Sequence, residues 1–311
     1  MFPRPRLPRP FSARRDEGPG VAPAHGGLAR VFAEPLERAG GLTGTLGRIG
    51  SLEVRLAVTR KEVKKAQRLR YRVFFEEMSA IPDMMSRLKR RDIDAFDLIC
   101  DHLLVIDHDA PSGTGLRKPR IVGTYRLLRQ EMAERYSGFY TQVEFDVAPL
   151  LAANPGQRFL ELGRSCVLAP YRDKRTVELL WHGIWTYVRH HRIDVMFGCA
   201  SLEGVDPSKH ALALSFLHHH ARAPEAWRAT ALPGRGEPMD LLPASAVDQR
   251  KALHALPPLV KGYLRIGARV GEQAVIDRQF GTTDVLIVLP VSFINPRYIG
   301  HFGADATRHA A

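Results

Sequence analysis

Cysteine is scarce. Only Cys100, Cys166 and Cys199 occur in 311 residues, far apart and with no C-x-x-C pair. This excludes a disulfide framework or a thiolate zinc site and suits buried thiols in a reducing compartment, so the cytosol is the expected location. Long apolar runs are also lacking: the longest, V-L-I-V-L-P-V at 285–291, is strand-sized and far short of the roughly 18 residues that span a bilayer. The N-terminus has no apolar stretch of the secretory kind. Its arginines and few acids loosely resemble an organelle transit peptide, but a disordered, unprocessed arm fits the composition better. Acidic residues are in deficit, with Lys+Arg 45 against Asp+Glu 33 and a net charge of +12. The surplus points to an acidic partner: nucleic acid, an anionic membrane surface or an acidic carrier protein. Apolar residues are plentiful, and a 45% hydrophobic chain of this length can bury the core of one large domain or two modest ones. A collagen-like or mostly disordered chain is thereby excluded.

Residues 1–50 are rich in Pro, Gly and Arg and carry no period of 2 or 3.6, so a disordered arm is expected there. The folded part is expected over 51–303, followed by a short tail at 304–311. Leu52, Val54, Leu56 and Val58 alternate with polar or small residues, the pattern of a half-buried strand. T-R-K-E at 59–62 has the spacing of a capping box and predicts a helix over about 60–78. Within that helix Val63, Ala66, Val73 and Phe74 share one stripe, and Arg70 falls inside it. Such an arginine either snorkels to the helix end, meets a structural carboxylate or points into a polar pocket. Asp94 and Asp97, in D-A-F-D after a basic turn (Arg87, Lys89, Arg90, Arg91), are candidate partners, although two acids three apart also suit a solvated face.

H-L-L-V-I-D at 102–107 and I-V-G-T-Y-R-L-L at 121–128 predict paired central strands, and R-F-L-E-L-G-R-S-C-V-L at 158–168 predicts a third. Strict alternation would put Glu161 and Arg164 on opposite faces, whereas a bulge near Gly163 would bring both to one side. An ion pair on a strand edge is the plain alternative to a site. A-P-Y-R-D-K-R-T at 169–176 then leads into a helix carrying Val177, Leu180, Trp181, Ile184 and Val188, and a strand over 193–200 follows. This α/β unit sets Arg172, Lys174 and Arg175 around a helix N-terminus, a place that favours phosphate, or else forms a solvated basic turn. Asp206 and Pro207 open a helix through Leu217, and a strand pair near 273–276 and 283–290 would close the sheet. The run His218, His219 and His220 is set aside: consecutive helical side chains point about 100° apart and cannot all ligate one metal. His190 and His191 are set aside likewise. No metal site is expected.

Arg70 with Phe74, Asp94 with Asp97, G-T-Y-R-L-L ending near Arg126, and E-L-G-R carrying Glu161 and Arg164 make, in this order, a specific combination. It resembles the acyl-homoserine-lactone synthases and their relatives in the GNAT acyltransferase superfamily. It is most similar to the L-ornithine N-alpha-acyltransferases of ornithine-lipid synthesis, some of which bear a hemolysin-like label. L-L-W-H-G-I at 179–184, F-G-C-A-S-L at 197–202, L-S-F-L-H-H at 214–219, L-P-P-L-V-K-G-Y-L-R at 256–265 and T-T-D-V-L-I-V-L-P at 282–290 support the likeness over about residues 51–303. Two departures matter. The Q/R-x-x-G-x-G/A pyrophosphate loop of acetyl-CoA-dependent GNAT enzymes is replaced by the glycine-free stretch Arg172–Val177, which counts against acetyl-CoA use. The tryptophan that lactone synthases carry after their first helix is replaced around Ala80, which counts against lactone synthesis.

The resemblance implies an α/β GNAT-like fold, a central mixed twisted sheet flanked by helices. It implies transfer of a 3-hydroxy fatty acyl group from acyl carrier protein to the α-amine of L-ornithine, giving lyso-ornithine lipid. Such carriers are strongly acidic, in accord with the basic balance. No cofactor is required, the donor being the carrier's own phosphopantetheine thioester. Glu161 is then the expected base, with Arg164 beside it. Arg70, Asp94, Asp97, Arg126 and Arg164 would shape the amino-acid pocket, Phe74 would pack beside the acyl chain, and Arg172, Lys174 and Arg175 would receive the carrier. Peripheral contact with an anionic membrane is compatible with this reading. A basic nucleic-acid-binding module is the competing class, but no recognised motif or basic–aromatic interleaving supports it. A membrane-damaging protein would need an exposed amphipathic or spanning segment, and none stands out.

Overall fold

In the computed structural model, which describes residues 41–298 except 79, 112–115, 137, 296 and 297, the first elements are a hairpin of β1 (Thr45–Ile49) and β2 (Leu52–Leu56). The sheet therefore starts earlier than the expected boundary at Ser51. The cause is tertiary: Gly47 and Arg48 break the alternation of β1, yet Leu46 packs against the core and its carbonyl accepts from His182 Nε2 at 2.9 Å. The rest of the expected arm, residues 1–40, and the tail at 304–311 lie outside the described residues.

Thr59 caps α1 (Arg60–Tyr71), and its side chain and that of Glu62 satisfy each other's backbone N–H groups, as the T-R-K-E spacing requires. The helix continues as a wider π-helical stretch over Arg72–Glu77, a form that often marks functional sites. After α2 (Met84–Lys89) the chain enters β3 (Asp101–Asp107) and β4 (Arg120–Arg129), which pair as expected and run antiparallel. Then come α3 (Gln130–Arg135), β5 (Phe145–Asp146), α4 (Ala148–Ala153), β6 (Phe159–Val167), α5 (Lys174–His190) and β7 (Val195–Glu203). The last elements are α6 (Ala211–Ala221), β8 (Thr230–Ala231), β9 (Gly236–Glu237), α7 (Gln249–Ala255), α8 (Pro258–Ile266), β10 (Arg269–Asp277) and β11 (Thr282–Pro290).

The main sheet runs β1-β2-β3-β4-β6-β7-β11-β10-β9, and β6 with β7 is its parallel pair. That pairing covers only Phe159–Glu161 against Val195–Phe197, after which β6 stays with β4 and β7 stays with β11. The sheet thus forks beyond Glu161. One core holds Leu103, Leu127, Leu160 and Met196 under Leu180, Ile184 and Val188 of α5. The other face carries Phe139, Phe159, Phe197 and Val288. Val177, expected in the α5 stripe, is 46% exposed in the first turn.

Because β1 closes over His182 and Glu53, a chain beginning at Ser51 should be less stable than one beginning at Gly41. Removing Leu46 from the core and two partners from buried polar groups should cost about 2–4 kcal/mol. Urea unfolding of the two chains checks this; equal midpoints would show that β1 is dispensable.

Candidate active site

D-A-F-D forms a 3-10 turn over Ala95–Leu98 in which Asp94 and Asp97 cap each other's backbone N–H groups. The same carboxylates face outward from the turn onto arginines of three different elements. Arg70 of α1 is fully buried; its Nη2 donates to Asp97 Oδ1 at 2.7 Å and its Nε to Asp92 Oδ2 at 2.7 Å. Arg126 of β4 donates to Asp94 at 2.6 and 2.7 Å. Arg164 of β6 reaches both acids, with Nε 3.3 Å from Asp92 Oδ2 and Nη2 3.3 Å from Asp94 Oδ2. Gln67 adds a bond to Asp97 at 2.9 Å. Burial alone would raise the Asp97 carboxyl, but Arg70 and Arg126 outweigh it and hold it well below the usual carboxylate range. Asp94 is lowered likewise, burial being overcome by Arg126 and Arg164. Burial pulls His102 down to about 4, so it is neutral near pH 7, and its Nε2 donates to the Asp97 carbonyl at 3.1 Å. Asp92 is a full member of this network that the sequence reading missed, hidden at the end of the basic turn.

Arg164 sits in the bulge expected near Gly163. Register with β4 shifts between Thr124 and Arg126, which face Cys166 and Gly163, and Arg164 itself takes φ 50°. A left-handed non-glycine residue is strained, and here the fold holds it between the rings of Tyr140 and Phe280, 4.6 and 4.7 Å from its guanidinium. Phe280, at the β10–β11 turn, also packs edge-on against Phe74 at 5.6 Å. Glu161 is buried, and its Oε2 accepts from Tyr140 N at 2.9 Å while its Oε1 accepts from Thr141 N at 2.6 Å and from the Thr141 hydroxyl. It therefore has a holding task that its sequence position did not reveal: it pins the turn bearing Tyr140. Burial nevertheless raises its pKa, against the lowering effect of Thr141. Oε1 is filled by two donors, whereas Oε2 retains one lone pair.

A second group of acids meets only in the fold, although Asp284 stands in the T-T-D-V-L-I-V-L-P stretch. Glu144, Asp277 and Asp284 offer carboxylate oxygens that all lie within 4.8 Å of one another, a set that could also hold a metal ion. Glu144 and Asp284 are buried, and Ser201, the β7 partner of Asp284, is exposed. Burial, then Asp284, pushes Glu144 up to about 7; burial, with repulsion from Asp277, pushes Asp284 up to about 6 against the pull of its neighbouring hydroxyls and Arg164. The group joins the Glu161 turn through Cys199, whose Sγ is 3.3 Å from Glu144 Oε2 and 3.8 Å from Thr141 Oγ1.

The expected carrier residues lie apart from this network. The N-terminus of α5 is capped by Asp173, whose carboxylate accepts from Thr176 N at 2.9 Å, so one of the N–H groups expected to favour phosphate is already bonded. Arg172 pairs with Glu77 at 2.5 Å, Lys174 with Glu178 at 3.3 Å and Arg175 with Asp173 at 3.4 Å. The side chains of Lys174 and Arg175 remain 84% and 68% exposed. A further basic groove of about 300 Å³, between α1 and the start of β4, is lined by Lys65, Arg68, Arg72 and Arg120.

A sheet forked at β6 and β7, a bulged β6 and a helix starting just beyond it define an N-acyltransferase of the GNAT type. The family description "Acetyltransferase (GNAT) domain" matches residues 69–182, from the end of α1 into α5. The chain is 57% identical over 263 residues to a protein of Brucella abortus named L-ornithine N(alpha)-acyltransferase, covering 85% of this chain and 92% of that one. A protein of the same name from Agrobacterium fabrum is 57% identical over 265 residues (85% and 89% covered), and one from Rhodobacter capsulatus is 40% identical over 248 residues (80% and 93%). The chain belongs to the L-ornithine N(alpha)-acyltransferase family. It is an acyltransferase, and no described helix is long and apolar enough to cross a membrane.

The raised carboxyl groups carry a stability consequence. A group whose folded pKa exceeds its unfolded value contributes stability below the unfolded pKa and loses it as pH rises through the folded pKa, here about 6 for Asp284 and about 7 for Glu144. Asp284→Asn should therefore raise the thermal midpoint of the free protein by roughly 2–6 °C at pH 8 and by less at pH 5. Thermal unfolding at both pH values checks this; a loss of stability at pH 8 would contradict the repulsion.

Proposed function

We propose that this protein transfers a 3-hydroxy fatty acyl group from the phosphopantetheine thioester of an acidic acyl carrier protein to the α-amine of L-ornithine, forming lyso-ornithine lipid in the first step of ornithine-lipid synthesis. The reading rests on the 57% identity, over most of the chain, to proteins that bear the ornithine acyltransferase name. In the reaction the amine nitrogen forms a C–N bond with the thioester carbon, the C–S bond breaks, and the thiolate leaves and takes up a proton. Aminolysis of a thioester runs downhill and needs no nucleotide.

The ammonium must first lose a proton. The free lone pair on Glu161 Oε2, directly or through one water, is our proposed acceptor, and a raised pKa suits it to the task. The developing oxyanion would lie by the backbone of β6 just beyond Glu161, where the strand has lost β7 as a partner. Arg164 would orient the acceptor, held in place by Asp92 and Asp94, while Arg70, Arg126 and Asp97 keep that pair rigid. A small crevice of about 10 Å³ lined by Leu162, Phe197, Gly198 and Tyr263 lies at the fork, and the acyl thioester would have to widen it; Phe74 packs against Phe280. Gly198 lets β7 come close to β6 at this point, since a Cβ there would lie 2.3 Å from the Leu162 carbonyl oxygen.

Incubation with L-ornithine and a 3-hydroxyacyl carrier protein should give N-acylornithine by mass spectrometry; a product formed only with S-adenosylmethionine would favour a lactone synthase instead. Glu161→Gln should lower turnover by roughly 100-fold or more and remove the limb of the pH profile that reports the base. Thr141→Val, which frees an Oε1 lone pair but keeps the carboxylate, should lose much less. Equal losses in both would make Glu161 a positioning residue only.

Replacing Arg172, Lys174 and Arg175 by Glu should weaken carrier binding and flatten its salt dependence, with a smaller effect at saturating carrier and little effect on a short pantetheine thioester. Unchanged carrier affinity would move docking elsewhere. A fall on reversing Lys65 and Arg68 would place it in the groove beside α1.

A further inference from the structure

An α,ω-diamino acid brings three charges to this site: a carboxylate, the ammonium that reacts, and a second ammonium at the end of its side chain. Arg164 can meet the first and Glu161 the second. The third needs negative side chains within reach of the acceptor, and Glu144, Asp277 and Asp284 cluster near the Glu161 turn. Asp284 and Glu144 are 6% and 3% exposed, yet no lysine or arginine forms an ion pair with either among the described residues. Asp284 Oδ1 is sealed from solvent and accepts no hydrogen bond, although the Thr282 and Ser201 hydroxyls lie beside the carboxylate, and an unpaired oxygen is costly in a buried carboxylate. Exposed Ser201, directly across from Asp284 on β7, leaves an approach open on the face of the sheet that bears Glu161 and Phe197.

Position favours a substrate ammonium over a structural role. Contacts run without a break from Glu161 to Thr141, from Thr141 to Cys199, and from Cys199 to Glu144. Glu144 in turn clusters with Asp284 and Asp277, and Arg164 exerts a charge effect on Asp284. The acids therefore adjoin the reacting centre along one line while staying separate from the arginine–aspartate network. Asp277 is the least suited of the three, since its Oδ1 already accepts from Gln279 N and Phe280 N at the hairpin turn. Burial, with mutual repulsion added, holds Glu144 near 7 and Asp284 near 6, and a cation of ammonium size would relieve both.

We propose that Asp284 and Glu144, closed on one side by Asp277, form the pocket that receives the side-chain ammonium of the acceptor and so select a diamino acid over its uncharged analogue. This inference rests on the ornithine reading above and gives a role to Glu144 and to Asp284, the acid of the T-T-D-V-L-I-V-L-P stretch. Norvaline, which is ornithine without the terminal amine, is the discriminating probe. The wild-type protein should prefer ornithine in kcat/KM, and Asp284→Asn should cut the ornithine-to-norvaline ratio by roughly 10- to 100-fold, the range of a hydrogen bond to a buried charge. Glu144→Gln should move the ratio the same way and serves if the first variant folds poorly. Losses shared equally by both amino acids would overturn the proposal, because the acids would then serve the reacting amine or the fold. Stoichiometric binding of Mg2+ or Ca2+ to the wild type, abolished by Asp284→Asn while the ratio stays fixed, would overturn it in favour of a metal site. A wild-type protein that acylates neither amino acid would remove the ornithine reading itself. A clear ornithine preference that both variants leave untouched would remove the pocket alone.

Discussion

Arg70 is a permanent charge at a position with no solvent contact, on the core-facing stripe of a helix, and much of the site follows from how that charge is met. Its five donors demand carboxylates in fixed places, and Asp92 and Asp97 supply them from a segment that has little regular structure of its own. The pairing thereby docks residues 92–98 against α1 and β4. Desolvation makes such a network a weak source of net stability, but removing one member leaves a buried charge uncompensated, typically at about 3–5 kcal/mol. Its return is geometric: Arg126 and Arg164 are held by the same acids, and their guanidiniums are stacked with Phe96, Tyr140 and Phe280.

The second constraint is the bulge in β6. One extra residue opposite Thr124–Arg126 turns Arg164 to the face that already carries Glu161, at the point where β6 parts from β7. Glu161 then binds the backbone of residues 140–141, so the ring over Arg164 is positioned by the carboxylate three residues before it. Strand, turn and arginine stack thus fix one another, and a strained backbone at Arg164 persists because all three hold it.

Two sets of carboxylates sit close together in opposite electrostatic states. Asp94 and Asp97 are surrounded by arginines, which lower both carboxyls below the usual carboxylate range. Glu144 and Asp284 are buried close together with Asp277, and their pKa values rise toward neutrality. Pulling one set down makes a rigid scaffold. Pushing the other up leaves a place where added positive charge is welcome, at the expense of stability in the free protein.

Much of this was legible along the chain because it is written in local periods and spacings. The capping box at Thr59–Glu62, the β3–β4 pair, the strand–helix–strand unit of β6, α5 and β7, the misfit of Arg70 in an apolar stripe and the bulge at Gly163 each depend on near neighbours. The family likeness added an activity and a partner class that no single motif carried. Strand β1 escaped notice because its five residues scarcely alternate, and only the edge of β2 and the ring of His182 make them a strand. Asp92 is hidden in a basic turn, and nothing in the R-D-K-R stretch singles out Asp173 as the cap of α5. Glu144, Asp277 and Asp284 stand on a turn, a strand end and a strand far apart in sequence, each unremarkable by itself. Their meeting depends on β11 lying between β7 and β10 and on the 140–144 turn folding back over β7, long-range pairings to which no local pattern corresponds.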